Sequence, residues 1–250
     1  MAAGHPAALA TGAKLPVLRL FANAWLVFTR RWKVLIPLAL IVLIPQALSE
    51  ALELNVDTSD LDAGRAALAA LTSAALVATN LAGEALYAGM ITGLVVQWRH
   101  GIRRFSLTLL ARELPILRLI AADILIIAGT TLGLLLLVIP GVIFATYTLV
   151  TTVVIELEDT SIRDGFRRSA SLVRGSFWRV LAIGLILIAA TEGVTSLLLL
   201  PFHGFAAEAA LHLGIEAVIL PFQGVATVLV ALGLMELRGE PSVRVPRQPQ

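Results

Sequence analysis

Apolar residues along this chain run in long blocks separated by short, arginine-rich polar stretches, rather than alternating. A membrane-crossing helix needs roughly 20 mostly apolar residues, rising 1.5 Å each, to cover about 30 Å of hydrocarbon. Six blocks meet or approach that length: about Val34 to Leu52, Leu76 to Val96 with a helical lead-in from Ala66, Leu117 to Ile139, Val142 to Ile155, Val180 to Leu200 and Leu211 to Leu237. Pro140-Gly141, a turn-forming pair, is expected to end the third helix and begin the fourth. The fourth block is short, at 14 residues. That is about 21 Å of rise, so either its helix continues through Leu157 or Pro140-Gly141 dips below the outer interface. The pattern predicts an all-α, polytopic membrane bundle of six transmembrane helices.

A basic amphipathic stretch precedes each odd-numbered span, which predicts a threefold repeat of interfacial elbow helix, span, span. Leu18, Phe21, Trp25, Phe28 and Trp32 fall at helical spacing before the first span. Phe105 to Glu113, with Ser106 as N-cap and Pro115 as stop, precedes the third. Before the fifth, Ser161 pairs with Asp164 as a capping box, and Ile162, Phe166, Ser169, Leu172 and Val173 share a face. Gly175 ends that turn, and Arg163, Arg167, Arg168 and Arg174 take the wet face. The entrances Arg31-Trp32-Lys33-Val34-Leu35 and Phe177-Trp178-Arg179-Val180-Leu181 look alike, with Arg118-Leu119-Ile120 a weaker copy. Interfacial anchoring by tryptophan rings and snorkelling cations accounts for the likeness without a duplication.

Charge fixes the threading. Short cytoplasmic loops collect lysine and arginine, and eighteen of the nineteen basic residues fall on one side of a six-span chain. Only Arg65 falls on the other, in a loop that also holds Glu53, Asp57, Asp60 and Asp62. Residues 1–33 are therefore expected to form a cytoplasmic N-terminus with a basic amphipathic helix, 34–237 the membrane domain, and 238–250 a disordered cytoplasmic tail. Met1 to Pro16 lacks the pattern of a signal peptide, so the protein is expected to reside in the cell membrane as synthesised.

Composition agrees. Of 250 residues 58% are hydrophobic and only 14% charged, with a mean hydropathy of +0.89, whereas soluble domains carry about 25% charged residues. A net charge of +2 gives no reason to expect nucleic acid as a partner. There is no cysteine, hence no disulfide and no thiolate chemistry.

Residues 139–179 carry a more specific pattern: Ile139-Pro140-Gly141, then Val154-Ile155-Glu156, Arg167-Arg168-Ser169, Leu172-Val173-Arg174-Gly175 and Phe177-Trp178-Arg179. This run resembles the membrane domain of glycerophosphoryl diester phosphodiesterases, which also occurs alone in bacterial membrane proteins. The resemblance implies a six-span bundle with both ends cytoplasmic. Leu157 and Ala170 stand where the family usually has Gly and Trp. The catalytic barrel that accompanies this domain elsewhere has no room in these residues, so the resemblance implies a membrane module and not hydrolysis.

Two sets of residues invite functional readings. Arg163, Arg167, Arg168, Arg174 and Arg179 would attract anionic lipid headgroups, or else serve only to fix topology; Glu156, Glu158, Asp159 and Asp164 are available to pair with them. Within the membrane, Glu84 with Asn80 one turn before it and Tyr87 beyond, and Glu192 with Thr191 and Thr195, are ionisable or polar at depth. Facing a wet cavity, they would carry protons or bind a cationic substrate; packed between helices, they would be hydrogen-bonding glue. Asp123 is expected to pair with Arg118, His212 and Glu216 to touch the outer interface, and Gln223 to satisfy carbonyls freed by Pro221. No nucleophile elbow, P-loop, dinucleotide fingerprint or zinc-ligand spacing is present among the motifs, and no cofactor or metal is implied. The expectation is a non-catalytic membrane module that binds membrane lipids or organises a partner membrane protein or a second copy. A transporter or permease using Glu84, Asn80 and Glu192 is the alternative.

Overall fold

A backbone in hydrocarbon must satisfy its own hydrogen bonds, so a chain this apolar should be helical. The computed structural model describes residues 15–55, 63–99, 114–199 and 205–240, and every regular element among them is a helix. These are α1 (Val17–Asn55), α2 (Ala63–Arg99), α3 (Ile116–Leu136), α4 (Val138–Thr148), α5 (Thr151–Glu158), α6 (Ile162–Arg174), α7 (Phe177–Leu199) and α8 (Phe205–Leu237). Four stretches among the described residues are long and apolar enough to cross a membrane: Ile116–Leu136, Val138–Glu158, Phe177–Leu198 and Leu211–Leu237. The protein thus has the helices of a membrane bundle. The blocks near 34–52 and 76–96 lie inside α1 and α2.

α8 is the packing centre. Val225, Ala226 and the run Val228 to Met235 are buried, as befits a helix that is apolar all round. α1 covers it with Leu20, Ala24, Val27, Leu35 and Ala39, and α2 adds Ile91, Leu94 and Val95 to the same core. Gly224 admits α2 closely, since a Cβ there would stand 2.6 Å from Ile91 Cδ1.

The α3–α4 turn lies earlier than the proline suggests. The break is at Leu137, in extended conformation (φ −163°, ψ 135°), and Pro140 sits in the first turn of α4. A proline fits there, because its fixed φ is helical and first-turn N–H groups have no intrahelical acceptor. Gly141 is a contact point instead. With Gly133 it lets the two backbones touch: a Cβ on Gly133 would lie 2.7 Å from the Gly141 Cα. Gly129 and Gly133, four apart, form the small-residue stripe that such crossings use. The fourth apolar segment consequently runs over 21 residues, Val138–Glu158, interrupted at Leu149–Val150. About 30 Å of helix removes the length shortfall of the 142–155 reading.

α6 forms as its local sequence dictates. Ser161 Oγ accepts from the Asp164 backbone N–H at 3.2 Å and donates to the Asp164 carboxylate at 2.6 Å. Gly175 follows the helix at φ −77°, so it caps without a left-handed turn. The stretch before the first span differs from expectation: it is the N-terminal half of α1 and packs on the bundle. Nothing between Trp32 and Val34 breaks a helix, and Phe21 and Trp25 lie against Phe222 of α8. Phe105 to Glu113 lies outside the described residues.

Candidate functional site

Two polar regions survive inside this apolar framework: a basic end around α6, and a cavity between the membrane-length helices.

At the basic end, α6 buries Gly165, Ser169, Leu172 and Val173. Ser169, fully buried, donates to the Tyr147 carbonyl at 2.7 Å beside the Leu149–Val150 break, so the serine of the Arg167-Arg168-Ser169 run ties α6 to α4. Opposite, Arg163, Arg167 and Arg174 are exposed. Arg179 is half-buried at the start of α7, next to Trp178, which is 78% exposed. Arg168 departs from the wet-face expectation. It is bonded to Glu158 at 3.0 Å and to Glu240, leaving three exposed arginines on α6. The Glu240 hydrogen bond, then Glu158, raise the Arg168 guanidinium further above its ordinary range, against the opposing effect of burial. Among the other acids, Asp159 pairs with Arg118 at 2.7 Å, Asp164 caps α6, and Glu156 neighbours the Thr92 hydroxyl.

Glu240 reaches Arg168 because α8 ends in a Schellman turn. Gly239, at φ 71°, lets its N–H bond the Glu236 carbonyl at 2.9 Å and the Glu240 N–H the Met235 carbonyl at 3.3 Å. Arg238 donates to the Ser171 carbonyl and Arg99 pairs with Glu236. Residues 238–240, assigned by sequence to a disordered tail, are therefore clasped to α6; 241–250 lie outside the described residues. Gly239→Ala should cost about 1–2 kcal/mol, the left-handed penalty, and Gly239→Asn markedly less, since asparagine tolerates that region. Thermal unfolding of the two variants in detergent checks the order.

The cavity, about 530 Å³, is lined by residues of α1, α2, α3, α5, α7 and α8. Three carboxylates reach it: Glu84 from α2, Asp123 from α3 and Glu216 from α8. Glu84 and Asp123 lie within electrostatic reach of one another, and Glu216 faces His212 one turn away at 3.7 Å. Tyr87, Thr92, Thr152, Thr191, Gln223 and Thr227 add polar atoms, and isoleucines, valines and leucines supply the rest. Gln223 donates to Thr191 Oγ1 at 2.5 Å, and Thr191 donates to the Leu187 carbonyl at 2.9 Å. Gln223 therefore joins α8 to α7. Among the described residues, no group of three His, Cys, Asp or Glu side chains is placed to hold a metal ion.

The structure thus regroups the intramembrane residues picked from sequence. Glu84 lines the cavity, and Glu192 is exposed on α7 and does not; Asn80 lies on α2, its side chain outside the described residues. Asp123 lines the cavity and leaves Arg118 to Asp159. Glu216, Gln223 and Thr227 were overlooked as a set, although spacings of seven and four residues put them on one helix face. Thr92, eight residues after Glu84, follows the same rule.

No model of a protein family, no curated protein and no solved structure matches this chain.

Proposed function

We propose that the protein is a non-catalytic, multi-pass module of the cell membrane. On this reading it is threaded six times with both ends cytoplasmic, and it holds anionic lipid headgroups along the basic end and so positions a partner membrane protein or a second copy. The observation that carries the reading is the exposure of Arg163, Arg167 and Arg174 on a helix whose opposite face is fixed to the bundle. A tethered helix presents its cations without further ordering cost, and guanidinium groups take phosphate bidentately. Trp178, exposed beside this helix, suits an interfacial anchor, and the distribution of arginine and lysine supports the threading. The resemblance of residues 139–179 to the phosphodiesterase membrane domain accords with a module of this kind.

Each arginine near an anionic surface contributes about 1 kcal/mol, so three should together change affinity about a hundredfold. Replacing Arg163, Arg167 and Arg174 with glutamine should strip co-purified phosphatidylglycerol, measured per protein by mass spectrometry, and leave phosphatidylethanolamine unchanged. Equal phosphatidylglycerol in both proteins would falsify the lipid assignment. Because the chain has no cysteine, single cysteines introduced at Ser171 and Asp60 test the threading without background. An impermeant thiol reagent should label the second in intact cells and the first only after lysis.

A further inference from the structure

The cavity between α2, α3 and α8 has a chemistry that the basic end does not explain. Buried polar groups are expected to be partnered, and an orphan calls for a reason. Tyr87 is 5% exposed, lines the cavity, and its hydroxyl has no hydrogen-bond partner among the described residues. Among the described residues, no cation pairs with Glu84 or Asp123, so two carboxylates that line one cavity lack a counter-charge. Three of the four lining threonines do not supply what is missing. Thr92, Thr191 and Thr227 donate their hydroxyl protons to the carbonyls of Ala88, Leu187 and Gln223, so what they turn to the cavity is lone pairs. Three carboxylates and three committed hydroxyls give the lining more acceptors than donors.

The complement of such a lining is a cation with several N–H donors and an apolar stem to lie against Ile91, Ile126, Val153 and Val228. The volume falls within the roughly 300–1,000 Å³ typical of small-ligand sites. We infer that this cavity binds a small aliphatic ammonium compound of diamine size, its ammonium groups held by Glu84, Asp123 and Glu216, with Tyr87 completing the hydrogen bonding. The site is separate from the arginine-bearing face of α6, and it stands or falls independently of the lipid reading.

Isothermal titration of the purified full chain in detergent, with 1,4-diaminobutane as the probe, tests this. Saturable binding is expected, with no saturable heat from 1,4-butanediol, which has the same length and no charge, and none from magnesium ion. Glu84→Gln with Asp123→Asn should weaken diaminobutane at least tenfold, and Tyr87→Phe about tenfold, the loss of one hydrogen bond to a charged donor. Glu192→Gln, outside the cavity, should leave affinity unchanged. If the double variant does not fold, Tyr87→Phe and Glu216→Gln decide the matter by the same criterion. The inference is overturned by absence of saturable binding to folded protein, by equal binding of magnesium or the diol, or by affinity that the folded cavity variants leave intact.

Discussion

Gly133→Ala should splay the α3–α4 hairpin and lower the melting temperature of the protein in detergent by roughly 6 °C or more. The added methyl would meet the Gly141 Cα at 2.7 Å and the Gly141 N at 3.0 Å, and both are backbone atoms. Overpacking ordinarily costs about 1–3 kcal/mol because side chains shift out of the way. Backbone has no rotamer to change, so the helices themselves must separate, and the cost belongs at the top of that range. At about 2–4 °C per kcal/mol for a chain of this size, the loss is measurable in one melt. Gly184→Ala is the control. Among the described residues nothing lies within 4 Å of a Cβ at Gly184, so there the better helix propensity of alanine should act alone and stabilise by up to about 1 kcal/mol. A Gly133→Ala protein that melts with wild type would mean that the backbones do not touch.

The same hairpin shows where sequence reading stops. Proline and glycine mark a turn only relative to a register, and Pro140 is as compatible with the first turn of a new helix as with the end of an old one. What fixes the register is Gly133 meeting Gly141 and Gly129 admitting the Phe144 ring, contacts between segments that no single segment announces. α6 was legible to within a residue because its causes are local: an N-cap serine, an aspartate three residues on, and an apolar stripe at helical spacing. Its wet face was read less well, since Arg168 is diverted by Glu240, seventy-two residues away and brought near only by the Schellman turn at Gly239. For Glu84 and Glu192, counting residues says how far along its helix each carboxylate sits, but not which way it turns. Whether a carboxylate meets a cavity depends on which helices pack around it, and only the assembled bundle separates Glu84, which lines the cavity, from Glu192, which does not.

Gly165→Ala makes the opposite kind of demand on its surroundings, and so should be rescuable. A Cβ at Gly165 would lie 2.4 Å from Ile155 Cγ1 and 3.0 Å from its Cδ1, so α6 rests on one isoleucine of α5. The substitution alone should cost about 2–3 kcal/mol. Ile155→Ala alone should also destabilise, by about 2–5 kcal/mol, because it empties a fully buried site. In the Ile155→Ala background, however, the obstructing atoms are gone, and Gly165→Ala should become neutral or mildly stabilising, giving a coupling energy of about 2–3 kcal/mol, near the upper limit for residues in contact. Four melting curves close the cycle. Because Arg163, Arg167 and Arg174 ride on α6, phosphatidylglycerol retention should follow the same pattern, lost in Gly165→Ala and regained in the double variant. If Gly165→Ala costs the same in both backgrounds, α6 is not seated on Ile155. If stability is rescued and lipid retention is not, the seating is real, but it is not what presents the arginines to lipid.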